Sequence, residues 1–284
     1  MFTKDTLKNK SILVTGGGSG LGLAMAKGFA AAGANIAICG RTESKLIEAV
    51  ETLNQFGTKI AYYTTDIRDY DTVGAMINQI TGEFGSLDGL VNNAAGNFYC
   101  PSEDLSPNGF KTVVDIVLHG TFNCSQHFGK YLINNEKAGS ILNIVATYTE
   151  TGSAFVLPSA CAKAGVYAMT NTLAYEWATY GIRVNSIAPG PFPTKGAWER
   201  LMPNPEIEKM FLNKHPMKRY GEAEELANLA IFLMSDLSPY ITGECITIDG
   251  GERLQSGQFN FVTQLMPRKQ LKELFKQLKP KKSS

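Results

Sequence analysis

Four polar side chains stand where chemistry could be done: Tyr148, Ser159 and Lys163 in NIVATYTETGSAFVLPSACAKAG (143–165), and Asn97 in NNAAGNF (92–98). Ser159 and Lys163 are four residues apart, so a helix through PSACAKAG places them on one face. Tyr148 follows the strand-like run GSILNIVA, and Asn97 follows LDGLVNNA. In an open parallel α/β sheet both fall at the carboxyl edge, where ligands bind. A phenol, a hydroxyl, an amide and an ammonium gathered there could hold an oxygen that gains charge, or exchange a proton with it. Each residue also has a plainer reading. Ser159 could be a helix-start serine after Pro158, Asn97 a turn residue using its side chain locally, Tyr148 a half-buried loop aromatic and Lys163 a solvated lysine. His119, His127 and His215 show no metal-ligand spacing and no Ser-His-Asp set, so no metal is expected.

A second constellation lies nearer the start. TGGGSGLG (15–22) falls between a strand pattern and a helix pattern. Glycines there let the backbone approach a pyrophosphate, and the helix N-terminus offers free N–H groups and a positive dipole. Gly16, Gly18, Ser19, Gly20, Leu21 and Gly22 are the resulting cofactor candidates, although the string alone also fits a tight strand-to-helix turn. After the second strand, CGRTESKL places Arg41 where an NAD-preferring site carries an acid that accepts from the ribose hydroxyls. Arginine there favours a 2′-phosphate and hence NADPH, or it caps the helix beginning near Thr42. Asp66 in TTDIRD could accept from the adenine amino group or cap the following turn.

These residues need a scaffold, and the hydrophobic pattern supplies one. Seven β-rich runs, SILVTG, NIAICG, KIAYYTTD, LDGLVNNA, GSILNIVA, IRVNSIAPG and ECITIDGG, alternate with helix-length stretches at 20–32, 43–56, 69–84, 158–180 and 222–235. The pattern predicts an α/β fold with a doubly wound, seven-stranded parallel sheet of Rossmann type and right-handed crossovers. Residues 1–251 read as a single domain, with the proline-rich segment 189–221 as a substrate lid. Residues 252–284 read as an extension packed on or near the domain. In it Leu271, Leu274, Phe275 and Leu278 repeat at helical spacing among Arg268, Lys269, Lys272, Lys276, Lys279, Lys281 and Lys282. That pattern suits a docked helix with a solvated basic face, or attraction toward a polyanion.

With 284 residues, 44% apolar, 19% charged and a formal net charge of +1, the chain has a globular balance that suits a small-molecule ligand rather than nucleic acid. The five cysteines are scattered without C-x-x-C spacing, which suggests reduced thiols, mostly as core filler. Apolar runs fall short of the roughly 20 residues of a membrane helix. The first strand begins too soon for a presequence, so the cytoplasm is the expected location.

The motifs TGGGSGLG, NNAAG (92–96), the Lys163 helix and PGPFPT (189–194) resemble, in that order, the short-chain dehydrogenase/reductase family over residues 8–252. In the usual family pattern a tyrosine stands four residues before the lysine, a serine about a dozen before that, and an asparagine lies in the helix after the fourth strand. Here those places hold Ser159, approximately Ala146, and Val117. Either the site is silent or its acid has moved, and Tyr148 can enter the same pocket from the neighbouring strand end. NNAAGNF, Tyr148, PSACAKAG and PGPFPTKGA closely resemble the NADPH-dependent 2,4-dienoyl-CoA reductases of this family, in the tyrosine-using, mitochondrial-type branch.

That resemblance implies hydride delivery to C5 of a 2,4-dienoyl-CoA, with Tyr148 and Asn97 holding the dienolate oxygen and a 3-enoyl product serving unsaturated fatty-acid β-oxidation. It implies that Lys163 bridges the nicotinamide ribose hydroxyls and favours phenolate-like character in Tyr148, with Ser159 anchoring the same region. Asn93, Pro189, Gly190, Phe192 and Thr194 would contact cofactor. Arg68, Phe98, Ser106 and Arg200 would contact the acyl-CoA, and the subunits would form a homotetramer. A 3-oxoacyl or simple carbonyl reductase, and a silent NADPH-binding protein, remain as alternatives.

Overall fold

Each of the seven apolar runs forms a strand: β1 (Ser11–Thr15), β2 (Asn35–Gly40), β3 (Ile60–Thr64), β4 (Gly89–Asn92), β5 (Gly139–Ile144), β6 (Ile182–Pro189) and β7 (Cys245–Ile248). This is a computed structural model, and it describes residues 3–194 and 204–278. The strands pair in parallel in the order β3-β2-β1-β4-β5-β6-β7. After β3 the chain crosses to the other side of β1, which leaves a crevice between the carboxyl ends of β1 and β4.

Helices cover both faces. They are α1 (Gly20–Ala31), α2 (Glu43–Leu53), α3 (Tyr70–Phe84), α4 (Pro107–Val114), α5 (Gly120–Asn134), α6 (Leu157–Trp177), α7 (Pro205–Lys214), α8 (Ala223–Met234) and α9 (Arg268–Gln277). Burial on both faces explains why β1 is apolar along most of its length and wholly buried. Its alternate residues serve different cores. Ile12 and Val14 pack with Met25, Phe29, Leu226 and Ile231, and Leu13 packs with Ile77, Ile80, Phe128 and Ile141 on the other side. Phe29 and Phe128 are fully buried, each worth about 3 kcal/mol of apolar transfer.

Local signals set the ends that matter for the crevice. Ser106 caps α4 by accepting from Gly109 N–H at 3.0 Å, with Pro107 in the first turn. Between α4 and α5 the helix widens into a π turn, Asp115–His119, and the Thr121 hydroxyl donates to the Val117 carbonyl at 2.6 Å. In α6 the residues Ser159, Ala162, Lys163, Val166, Thr170 and Ala174 form the buried stripe, so Ser159, Lys163 and Thr170 are carried inward by helix periodicity.

The thiols only partly match the core-filler expectation. Cys39 and Cys124 are buried, Cys100 and Cys245 are half-buried, and Cys161 is exposed. In the extension, Leu271 is buried and Leu274 half-buried, whereas Phe275 and Leu278 remain exposed, so the helix docks by less of its apolar face than its spacing suggests. Among the described residues no helix is long and apolar enough to cross a membrane.

Candidate active site

The glycine-rich turn is shaped by close approach. A Cβ on Gly22 would lie 2.4 Å from the Gly16 carbonyl oxygen and 2.5 Å from Asn93 Nδ2, so α1 packs against β1 only because that atom is missing. Gly16 and Gly20 have φ of +65° and +56°, which glycine adopts without strain. Ser19 begins α1 without a side-chain cap, and the first turn closes with Leu23 N–H donating to the Ser19 carbonyl. The N–H groups of Gly20, Leu21 and Gly22 therefore have no intrahelical acceptor, the arrangement an anion favours.

This turn borders a cleft of about 490 Å³ whose lining includes Gly16, Gly18, Ser19, Leu21, Arg41, Lys45, Asp66, Asn93 and Thr194. Arg41 is exposed at its edge, and Thr42, which starts α2, is not capped by it. Lys45, one turn into α2, adds a second cation that the sequence reading passed over, although its spacing from Arg41 on a helix start was the available signal. Asn93 lines the cleft, but its amide donates to the Thr15 carbonyl at 3.0 Å and so ties β4 to the glycine turn. Thr15, also missed by the sequence reading, accepts from the N–H groups of Asn93 and Ala94, each at 3.0 Å.

Asp66 and Arg68 are drawn together rather than toward separate ligands. Arg68 Nε lies 3.0 Å and 2.9 Å from the two Asp66 oxygens and its Nη2 2.5 Å from Oδ2, and the Arg68 N–H also donates to Oδ1. Asp66 thus caps the turn, and the guanidinium holds its carboxyl below the usual carboxylate range. Phe192 also departs from expectation. Its ring is buried in the core against Gly221, leaving only backbone for a cofactor contact. Thr194 stands 3.6 Å from the Cβ position of Gly20, across the cleft mouth. Pro189 ends β6, and Gly190 packs against Asp249. Arg200 lies outside the described residues.

At the other end of the crevice Tyr148 sits in the single-turn helix Thr147–Thr149 after β5, and its Oη lies 3.0 Å from Ser159 Oγ. Ser159 is 2% exposed and is the third residue of α6, whose N-cap is Val156, so it stands in the first turn without serving as the cap. Burial pushes the Tyr148 phenol above its ordinary value, with the Ser159 bond pulling the other way. Lys163 does not act on the phenol here. Lys163 is 7% exposed, its ammonium donates to the Ile144 carbonyl at the end of β5, and desolvation lowers it to about 8.

Asn97 is exposed, and its Oδ1 accepts from Phe98 N–H at 2.9 Å. This local bond fixes which end of the amide faces out: the Nδ2 donors remain available, and no hydrogen bond is found for them among the described residues. The Asn97 loop and the Tyr148 loop are stitched together by Cys100 N–H donating to the Phe155 carbonyl at 2.9 Å. Phe155 takes φ of +65°, uncommon for a residue with a side chain. Phe98 is 40% exposed beside Gly109 on α4, and the Ser106 oxygen is occupied as that helix's cap. Val117 is buried with Val113, Val145, Ala162 and Val166, so apolar packing fills the place where the family pattern carries asparagine.

Beneath the site runs a buried chain that the sequence reading did not find. Asn92 Nδ2 donates to Ser125 Oγ at 2.9 Å and to Asn143 Oδ1 at 2.8 Å, and Asn143 Nδ2 donates to Thr170 Oγ1 at 2.9 Å. The signal was present: Asn92 and Asn143 interrupt two apolar strands, and the β4–β5 register sets them opposite one another. A larger cavity of about 620 Å³ opens at the opposite, amino-terminal edge of the sheet. Its polar groups serve the fold, since Lys10 pairs with Asp236 at 2.8 Å and Arg183 donates to the Leu233 and Ser235 carbonyls at the end of α8.

Comparison with known proteins finds relatives in both sequence and fold. A family described as enoyl-(acyl carrier protein) reductase matches residues 16–252. A probable 2,4-dienoyl-CoA reductase of Bacillus subtilis, (2E)-enoyl-CoA-producing, is 44% identical over 254 residues, 89% of this chain and all of that one. A peroxisomal 2,4-dienoyl-CoA reductase of Arabidopsis thaliana, (3E)-enoyl-CoA-producing, is 40% identical over 258 residues, 88% of this chain and 86% of its own. Among solved structures, a short chain dehydrogenase from Bacillus anthracis superposes with a TM-score of 0.80 at 48% identity, covering 87% of this chain and 97% of that one. A gluconate 5-dehydrogenase from Burkholderia cenocepacia, in complex with NADP and tartrate, gives 0.81 at 30% identity over 88% of this chain and 98% of its own.

Proposed function

This chain belongs to the short-chain dehydrogenase/reductase family of nicotinamide-dependent oxidoreductases, and from that premise we propose that it reduces 2,4-dienoyl-CoA thioesters with NADPH to 3-enoyl-CoA. The observation that carries the reading is the Tyr148–Ser159 pair, which brings a phenol from the strand end to the serine that occupies the usual tyrosine position, one helical turn before the family's lysine. The glycine turn, the uncapped start of α1 and the Arg41–Lys45 edge suit a dinucleotide with a 2′-phosphate, and Lys163 would meet its nicotinamide ribose as the family resemblance implies.

NADPH, which the glycine turn, Arg41 and Lys163 would hold, would supply a hydride to C5. Negative charge then moves through the conjugated system to the thioester oxygen, away from the carbon that was reduced. Tyr148 donates its O–H to that oxygen while accepting from Ser159, and Asn97 Nδ2 donates from the neighbouring loop. The phenol is suited to holding rather than releasing its proton, because burial raises it. A proton from water at Cα completes the 3-enoyl product. Phe98 flanks the acyl chain. Arg68 and Ser106 stand near the CoA end, with Arg68 answering phosphate only by sharing its guanidinium with Asp66. A homotetramer, as the family resemblance implies, is the proposed assembly, and the cytoplasm is the proposed location.

NADPH oxidation with 2-trans,4-trans-decadienoyl-CoA beside acetoacetyl-CoA tests the reading. Turnover of the dienoyl thioester alone, with the product's double bond between C3 and C4, is the expected result. Reduction of acetoacetyl-CoA at a comparable rate points to a carbonyl reductase, and NADPH binding without turnover of either points to a silent binder. A separate measurement concerns cofactor choice. Arg41→Ala is expected to raise the KM for NADPH roughly 10–100-fold, the worth of one charge-assisted phosphate contact, and to leave that for NADH almost unchanged. Equal losses for both cofactors would remove Arg41 from the 2′-phosphate site.

A further inference from the structure

Residues 253–284 carry eight of the chain's 27 Lys and Arg residues and one of its 26 Asp and Glu residues, so the preceding part has an excess of acids. The family match ends at residue 252, and none of the groups placed at the reductase site comes from this segment. Its charge and its apolar groups are sorted on α9. At about 100° per residue, Arg268, Lys269, Lys272 and Lys276 fall on one face, Leu271, Leu274 and Phe275 on the next, and Gln270, Glu273 and Gln277 on the third. Glu273 pairs with Lys276 at 2.8 Å, whereas Arg268, Lys269 and Lys272 have no ion-pair partner among the described residues.

The apolar face is only partly used by the fold. Leu271 is buried, but Phe275 and Leu278 are 46% and 69% exposed. In the short turns before the helix, Leu254, Phe259, Phe261 and Leu265 are each at least 59% exposed. Six large apolar side chains facing water within one short basic segment exceed what a solvated surface ordinarily shows.

We propose that residues 253–278 form a reversible docking surface for an anionic phospholipid bilayer. Charge complementarity identifies the occupant. Unpaired lysines on flexible stems reach lipid phosphates while phenylalanine and leucine side chains settle at the headgroup–acyl boundary. A bilayer accepts apolar groups spread over a helix and two turns, where a folded partner would need acids at fixed positions against each lysine. This surface is independent of which thioester the enzyme reduces.

Co-sedimentation of the full chain with vesicles tests it, using phosphatidylcholine alone or mixed with phosphatidylglycerol. Binding to the anionic vesicles at low salt, weakened by added salt and absent with phosphatidylcholine alone, is expected. Charge reversal at Lys269, Lys272 and Lys276 should lower the partition coefficient at least about 100-fold, from about fivefold for each lysine. Phe275→Ser with Leu278→Ser should lower it about tenfold or more. NADPH oxidation in vesicle-free buffer should be unchanged in both variants, which shows that they fold. The proposal is overturned if the native chain does not pellet with anionic vesicles, or if the serine variant binds as well as the native chain and a soluble polyanion such as heparin competes equally with both. It is also overturned if the serine variant has a lower oligomeric mass by light scattering, since the apolar face would then be a subunit contact.

Discussion

Tyr148→Phe is expected to lower kcat for the dienoyl thioester by about 10²–10³-fold, the range for removing one preorganised donor at a developing oxyanion, with little change in NADPH affinity. The phenol is the better placed of the two proposed donors, because Ser159 holds it from a buried position on α6 and fixes its direction. When Tyr148 donates to substrate, Ser159 becomes its donor, and the two bonds polarise one another. Phenylalanine keeps the ring and its packing while removing only this chain of bonds. Stopped-flow measurement of the hydride step, alongside fluorescence titration of NADPH, separates the effects. A variant that keeps more than a tenth of the native rate would show that the oxygen is held elsewhere, with Asn97 the first alternative.

The second large effect concerns Lys163. Its ammonium sits against the end of β5, with desolvation lowering it to about 8 from an ordinary 10.5. Between those values the folded chain holds fewer protons than the unfolded one, so stability rises with pH across this window. Below about pH 8 the full cost of the buried charge is present, roughly 3 kcal/mol. Ribose hydroxyls accepting from the ammonium reverse part of that cost and favour the protonated form. NADPH affinity is therefore expected to fall as pH rises above about 8, by up to about tenfold per unit. Lys163→Met should lower kcat/KM on the order of 10²-fold and flatten this pH dependence. Thermal melts of the unliganded variant should also lose the rise in stability toward alkaline pH. A variant whose NADPH affinity follows the native slope would place the titrating group elsewhere.

The parts of this molecule written in local patterns were legible from sequence. Seven apolar runs gave seven parallel strands, because a sheet covered on both faces needs continuous apolar strands, and the glycine turn announced itself by its place between strand and helix. Ser159 and Lys163 were paired by helical spacing alone. What spacing could not show was competition for a side chain. Arg68 is two residues from Asp66 and is captured by it, and the Ser106 hydroxyl is taken by its own helix cap. The Phe192 ring turns into the core although Thr194, two residues on, lines the cleft. The Asn92–Asn143 chain needed the strand register before its partners could be named, since they are far apart in sequence.

The hydrogen bond from Cys100 to Phe155 makes one mechanical unit of two loops distant in sequence, one carrying Asn97 and the other following Tyr148. On the proposed mechanism, a substrate that seats without parting them meets both proposed donors in register. One that wedges between them displaces both together, so an ill-fitting acyl chain is penalised twice by a single distortion. Such a clasp sorts substrates by how fast they react after binding, and poor ones reveal themselves in kcat while KM stays nearly constant.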